Sequence, residues 1–441
     1  MNILQKALLI RRLNHQFYSW DRQQLQAHQQ HRLQFILDWA RRNSPYYGPL
    51  LQANMSWADV PVMGKTTMME HFDVINTQGL DRDDLRGFRM VQERTGSVEL
   101  YQGRYSVGLS SGTSGNQGLT VLSRAEQQRY GCLLFARSGI PASIKPKNVL
   151  FALRLNNAAF QQVQSFGVTL VYVDYTRPIA ELVRMINERK LNILAGPPSL
   201  LTLLAEAAET MDHGIDAVVS YAEVLDENTK RKLEETFDCR VVQIYQASEG
   251  FIGSTCRRGA LHLNEDVLYP EILDTEDSAG DAKNILITDL YRTTQPIIRY
   301  QMNDLLELDP NPCACGSCFR VIQRIHGRQD DSFLLRDSQG QWRHLFPDYV
   351  RRSIIQASQA ISSYQALQIA ADQIEIRLIL EADVDRRSIE KAITDNLAYW
   401  IHRIGAQQPA IHFSDASPER NARSGKMIRV VRCFAADTDN P

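Results

Sequence analysis

Cys239-Arg240-Val241-Val242-Gln243-Ile244-Tyr245-Gln246-Ala247-Ser248-Glu249 is a strand-like apolar run that leads directly into a tyrosine, a hydroxyl and a carboxylate. The same kind of run recurs upstream. Val149-Leu150-Phe151-Ala152-Leu153, Thr169-Leu170-Val171-Tyr172-Val173 and Ala217 to Ser220 read as short strands, and helical segments at Ile179 to Arg189 and Ser199 to Thr210 lie between them. This alternation predicts a mostly parallel sheet with helices on its faces, in which ligands sit at the carboxyl ends of the strands. Tyr245 to Glu249 stands at such an end.

A second stretch, Ser110-Ser111-Gly112-Thr113-Ser114-Gly115, packs hydroxyls and glycines together. Glycines let backbone N–H groups converge on one concavity, and the hydroxyls add donors, so the segment reads as a phosphate cradle. Asn116-Gln117-Gly118 follows where a Walker-type loop has its lysine, so that standard motif is absent. Taken alone, the same residues also suit an ordinary loop.

Around these stretches, apolar positions at helical spacing from Leu4 to Gln52 predict a helical N-terminal element, with Gln23 to Gln34 as a solvated helix face. From Gly250 to Arg324 short strands and turns predict a small β-rich region. Beyond it come a helical stretch, a strand at Gln373 to Leu380 and a helix at Arg386 to Ile404, with a domain boundary at Asp330-Asp331. The 49 basic and 51 acidic residues leave a net charge of -2, which offers no global attraction to nucleic acid or to an anionic membrane. The early apolar run Ala7 to Ile10 is cut by Arg11-Arg12 and is too short for a signal segment or a membrane span, so a soluble cytoplasmic protein is expected. Seven cysteines without an export signal point to metal or buried thiols rather than a disulfide framework.

Cys313-Ala314-Cys315-Gly316-Ser317-Cys318 is a C-x-C-G knuckle, and Cys256 and His262 precede it in the same β-rich region. Cys256, His262, Cys313 and Cys315 make a candidate closed, structural Zn²⁺ site of three sulfurs and one imidazole. Cys318 is the alternative sulfur, and free thiols in a loop are the alternative reading.

The order of further motifs carries a resemblance. After Ser110 to Gly115 and Tyr245 to Glu249 come Thr288-Asp289-Leu290, Ile298-Arg299-Tyr300-Gln301-Met302-Asn303-Asp304, Gly327-Arg328-Gln329-Asp330-Asp331 and Gly425-Lys426; Trp39 to Tyr47 and Pro61-Val62-Met63-Gly64-Lys65 lie ahead of them. The succession resembles the adenylate-forming superfamily of acyl-CoA synthetases, adenylation domains and luciferases. Within it, the chain looks most like the phenylacetate-CoA ligase branch, including deazaflavin-coenzyme synthetase-related proteins. The resemblance implies an α/β fold with a large N-terminal adenylate-forming domain, residues 1–330, built of parallel sheets, helices and a small β-rich subdomain. A small mobile α+β C-terminal domain, residues 331–441, is expected to carry the catalytic lysine.

What the resemblance implies residue by residue is specific. Glu249 is the Mg²⁺ ligand and Ser248 a donor to the α-phosphate; a hard cation prefers carboxylate oxygen. Ser110, Ser111, Gly112, Thr113, Ser114 and Gly115 hold ATP phosphates. Ala222 and Glu223 lie against the adenine, with Tyr245 stacking on it, and Asp304 binds the ribose hydroxyls, although Gln301-Met302-Asn303 departs from the family's usual Arg-Thr-Gly. Arg328 reaches the nucleotide, Asp330 is the hinge, and Lys426 bridges carboxylate and α-phosphate. Asn156, Asn157, Phe160 and Tyr245 are candidates for the acid pocket. The implied activity is ATP-dependent activation of a small, aromatic or other organic acid, followed by transfer to CoA. A carrier-protein phosphopantetheine, an amine or a hydroxyl is the alternative acceptor, and a nucleotide-binding protein without ligase chemistry is the rival from another class. The resemblance leaves a homodimer open.

Overall fold

The computed structural model describes all residues except 53–54, 110–117, 140–145, 154–167, 175–176, 275–281, 329–330, 359, 422–426 and 435–441, and the side chain of Glu93. The chain forms two compact units: Met1–Glu271 with Leu286–Gln301 and Asp309–Gln323, and Ile272–Ile285 with Met302–Leu308 and Arg324–Pro441. The expected boundary at Asp330-Asp331 falls inside the last segment of the second unit, and Asp330 lies outside the described residues.

In the first unit, helices α1 (Ile3–Ser19) and α2 (Arg22–Asn43) confirm the helical N-terminus, and each opens with a reciprocal cap, Asn2 with Gln5 and Asp21 with Gln24. Gln29 departs from the expected solvated face. It is buried and donates to the carbonyls of Glu265 and Leu268, because it continues the apolar stripe begun at Leu25. Short helices α3 (Tyr47–Leu50), α4 (Lys65–Glu70) and α5 (Phe72–Ile75) lead to α6 (Arg82–Thr95). Strands β1 (Tyr105–Leu109) and β2 (Leu119–Ser123) then pair antiparallel, with Leu109 opposite Leu119, so they bracket the 110–117 segment before helix α7 (Arg124–Arg137).

The sheet of this unit has β3 (Lys147–Ala152), β4 (Val168–Val173), β5 (Ile193–Gly196), β6 (Ala217–Ser220) and β7 (Val241–Ala247) in the parallel order β4-β3-β5-β6-β7. Helices α8 (Ile179–Arg189), α9 (Pro198–Glu206) and α10 (Glu227–Phe237) supply its connections. Ile179, Leu182, Val183 and Ile186 recur at helical spacing on α8, and Leu182 and Ile186 are fully buried against Val171, Leu194 and Leu201. Past β7 the sheet becomes antiparallel through β8 (Gly250–Thr255) and β9 (Leu261–Leu263). The β-rich region continues with β10 (Leu268–Asp274), β11 (Lys283–Asp289), β12 (Tyr300–Gln301), β13 (Asp304–Asp309) and β14 (Val321–Arg328); the start of β14 pairs with β9. Gly253 permits the β8–β9 approach, since a Cβ there would stand 2.6 Å from the His262 carbonyl oxygen.

The second unit contains the hairpin β15 (Phe333–Arg336) and β16 (Trp342–Leu345), helix α11 (Pro347–Ile355), and a sheet ordered β19-β18-β17-β20 from β17 (Ile361–Ala370), β18 (Gln373–Leu380), β19 (Ala410–Ser414) and β20 (Val430–Arg432). Helix α12 (Arg386–Arg403) buries Ile389, Ile393, Leu397 and Ile401, one turn apart, in a core with Phe333, Tyr364 and Ile376. Gly327, at φ +105°, sits against Pro347 and Arg351, where a side chain would be both strained and crowded.

His326 of β14 is buried in this unit between Glu307, 3.1 Å from Nε2, and Asp348, 3.9 Å from Nδ1. Burial, set against the attraction of Asp348, pulls its pKa from 6.5 down to about 4. The folded state therefore favours neutral imidazole. Stability is fully present above pH 6.5 and is lost as pH falls toward and through about 4, by about 3 kcal/mol from this group. Urea unfolding at a series of pH values should show this extra slope in the native chain and not in His326→Gln; equal slopes would remove His326 as its source.

Among the described residues, no helix is long and apolar enough to cross a membrane.

Candidate active site

Strand β7 runs to Ala247, past the Ile244 end expected from sequence, so Tyr245 is buried within the strand, opposite Gly253. Ser248 and Glu249 then form the turn into β8, partly exposed. Two side chains far along the chain grip this turn. The Arg292 guanidinium donates from Nη1 to the carbonyls of Ser248, at 2.9 Å, and Glu249, at 3.1 Å; the Tyr300 hydroxyl donates to Glu249 Oε1 at 2.9 Å. Sequence reading gave neither residue a role, because nothing in a local pattern marks a buried arginine that serves a distant turn.

At the ends of neighbouring strands, Glu223 accepts hydrogen bonds from the Ser199 backbone N–H and hydroxyl, at 3.1 and 3.0 Å. Ser199 is in the first turn of α9, where N–H groups lack helical partners and a carboxylate is electrostatically favoured. Ala222 beside it is exposed and holds a left-handed φ of +69°. Tyr221, unnoticed in the sequence, donates to the carbonyls of Ala152 and Ala195 at 2.8 and 3.1 Å, tying together the carboxyl ends of β3 and β5. Its burial pushes the phenol well above its usual range, so it stays a donor.

In the second unit, Asp304 opens β13 and Arg328 closes β14, with Asp304 Oδ1 3.9 Å from Arg328 Nε. Ser110, Ser111, Gly112, Thr113, Ser114, Gly115, Asn156, Asn157, Phe160, Asp330 and Lys426 lie outside the described residues.

The cysteine–histidine set does converge. One ligand atom from each of Cys256, His262, Cys313 and Cys315 lies within 4.8 Å of the others, with Cys256 Sγ 3.9 Å from Cys313 Sγ and Cys315 Sγ 3.6 Å from His262 Nε2. Zn–S bonds of about 2.3 Å in a tetrahedron place sulfurs about 3.8 Å apart, so the spacing suits that ion. Backbone N–H groups of Arg258, Cys315 and Ser317 point at the sulfurs of Cys256, Cys313 and Cys315, at 3.3, 3.4 and 3.4 Å, as expected for groups that stabilise thiolate charge. His262 Nδ1 is 2.9 Å from the Phe319 carbonyl; a proton there leaves Nε2 as the ligand atom. Burial opposes charge on Cys256, but hydrogen bonds from His262 and at Arg258 and Ala260 outweigh it and hold the thiol below its usual range. Burial and the sulfurs of Cys313 and Cys256 push Cys315 up to about 12. Three such sulfurs in one pocket repel as thiolates unless a cation joins them. Cys318 is outside this four-residue set.

No protein-family model matches the chain. It is 22% identical over 427 residues, 88% of this chain and 89% of the relative, to the phenylacetate-coenzyme A ligase of Thermus thermophilus. It is 25% identical to that of Aromatoleum evansii, over 56% of this chain and 59% of the relative. Its fold matches the crystal structure of 2-hydroxyisobutyryl-CoA ligase in the postadenylation state with a TM-score of 0.69 at 18% identity, covering 95% of this chain and 91% of that one. The chain is thus similar in sequence along most of its length to a phenylacetate-CoA ligase, and it shares its fold with an acyl-CoA ligase.

Proposed function

We propose that this chain activates a small carboxylic acid with ATP and transfers the acyl group to the thiol of CoA. The observation that carries the reading is Glu249, a carboxylate fixed by Tyr300 and Arg292 just beyond the carboxyl end of a parallel strand, where open α/β sheets bind ligands. In the first half-reaction a carboxylate oxygen attacks the α-phosphorus, and the bond to the β-phosphate breaks to release pyrophosphate. In the second, the thiol sulfur attacks the acyl carbon, the thiol proton is lost and AMP leaves.

The residues divide accordingly. Ser110 to Gly115 hold phosphate oxygens through N–H and hydroxyl donors, Ser248 donates to the α-phosphate, and Tyr245, Ala222 and Glu223 form the adenine side. Asp304 accepts from the ribose hydroxyls and Arg328 supports the nucleotide. Lys426 supplies positive charge where carboxylate and phosphate meet. Asp330 is the hinge of a mobile domain at 331–441, which separates the two half-reactions. A Glu249-bound Mg²⁺ would neutralise phosphate charge. Oxygen Oε2 of Glu249 has no hydrogen-bond partner among the described residues, which suits such a role. Zn²⁺ held by Cys256, His262, Cys313 and Cys315 would be structural, because all four positions are filled by protein.

A panel of carboxylic acids, aromatic ones first, supplied with ATP and Mg²⁺ tests the reading by pyrophosphate release with and without CoA. One or more acids should elicit release, and CoA should convert the adenylate to thioester and AMP. Acid-dependent release with an adenylate that CoA leaves intact would shift the acceptor to a carrier-protein thiol, an amine or a hydroxyl. Absence of pyrophosphate exchange with every acid would overturn the ligase reading.

A further inference from the structure

The loop between β11 and β12, which carries Arg292, is fastened at three successive residues. Glu126 Oε1 accepts from the Thr293 N–H at 2.6 Å, the Thr293 hydroxyl at 3.0 Å and the Thr294 N–H at 2.8 Å, while its Oε2 accepts from the N–H and hydroxyl of Ser123 at 2.7 and 2.8 Å. Trp39 Nε1 and the Thr77 hydroxyl both donate to the Thr293 carbonyl, and Gln295 bonds the backbone of Leu119 and Val121 on β2. A loop held this firmly makes a rigid base for a long side chain. Arg292, 4% exposed, projects from it to the carbonyls of Ser248 and Glu249. Tyr300, also 4% exposed, is fixed by pairing with Ile287 and by a bridge to Met63, and its hydroxyl reaches Glu249 Oε1.

The two contacts constrain different freedoms of one residue. Arg292 fixes where the backbone of the turn lies, because a guanidinium bridging successive carbonyls resists rotation of the peptide between them. Tyr300 fixes the carboxylate rotamer by engaging one oxygen, which leaves the other available. A monodentate ligand free to rotate would have to be ordered again at every binding event. We propose that Arg292 and Tyr300 are positioning residues that hold the Glu249 carboxylate ready for the nucleotide-bound divalent cation. This rests on the reading of Glu249 as the metal ligand.

The experiment uses the full chain, its Tyr300→Phe and Arg292→Lys variants, and Glu249→Gln for comparison. Mn²⁺ is titrated in the presence of α,β-methylene-ATP, with free Mn²⁺ read by electron paramagnetic resonance, and melting temperatures are recorded alongside. Tyr300→Phe should melt within about 2 °C of the native chain, since it removes one hydroxyl from a partly exposed partner. Its Mn²⁺ affinity should fall about tenfold, the scale of one hydrogen bond to a charged group. In pyrophosphate assays, excess divalent cation should restore most of the rate to Tyr300→Phe and Arg292→Lys but little to Glu249→Gln. If Glu249→Gln binds Mn²⁺ as the native chain does, the metal reading fails and the proposal with it. If only Glu249→Gln is weakened, the positioning proposal alone is overturned. Should Arg292→Lys fail to fold, Tyr300→Phe decides the matter.

Discussion

Lys426→Ala should lower acid-dependent pyrophosphate release by about a hundredfold or more while ATP affinity changes only severalfold, as expected when a contact made mainly in the transition state is lost. The expectation comes from the order of Gly425-Lys426 behind Gly327-Arg328-Gln329-Asp330-Asp331, since Lys426 lies outside the described residues. Two anionic groups must approach each other for the acyl-phosphate bond to form, and no lysine follows the Ser110 to Gly115 segment to offset their repulsion. A cation delivered to the point of approach therefore acts on turnover more than on binding. Equilibrium ATP binding and single-turnover pyrophosphate release, measured on the same variant, separate the two effects. Near-normal release would remove Lys426 from the chemistry.

Cys315→Ser should take the zinc content of the purified chain from about one equivalent to near zero and lower the melting temperature by roughly 10 °C, because a closed thiolate site couples metal affinity to folding. Cys315 is almost fully buried among Phe17, Leu25 and Phe319, so the loss would open a polar void in a small core as well as release the ion. Cys318→Ser is the control and should keep its metal, since Cys318 is outside the converging set. Elemental analysis with thermal melts decides between them. A metal-free native chain of unchanged stability would leave these residues as ordinary thiols.

The parallel sheet was readable from sequence because its strands are buried on both faces and so appear as continuous apolar runs, as Ala217 to Ser220 does, while the connecting helix Ile179 to Arg189 shows apolar residues at helical spacing; both have the bounds that the pattern predicts. Strand β17 was not. Its Gln365 and Gln368 are buried and hydrogen-bonded, and register shifts fall near both of its ends, so the expected alternation of apolar and polar residues is broken. Gln29 misled for a related reason, since an amide whose hydrogen bonds are satisfied inside the protein has the same letter as one in water. The convergence of Cys256, His262, Cys313 and Cys315 was legible because residue types able to hold a metal are few and their spacing is recognisable. Arg292 and Tyr300 act on Glu249 from 43 and 51 positions away, and their function exists only once the chain has folded.

The second unit draws Ala282 and Leu305 from the middle of the chain into a core completed by Leu397 and Val430 near its end. These residues cannot meet until the chain has been made through Val430. On the ribosome, segments 272–285 and 302–308 must wait for partners not yet synthesised, and long-range closure of that kind is slow and exposes apolar surface meanwhile. A nascent chain halted at residue 330 would thus emerge with two stretches lacking their intended neighbours, a natural target for chaperones that recognise unfinished cores.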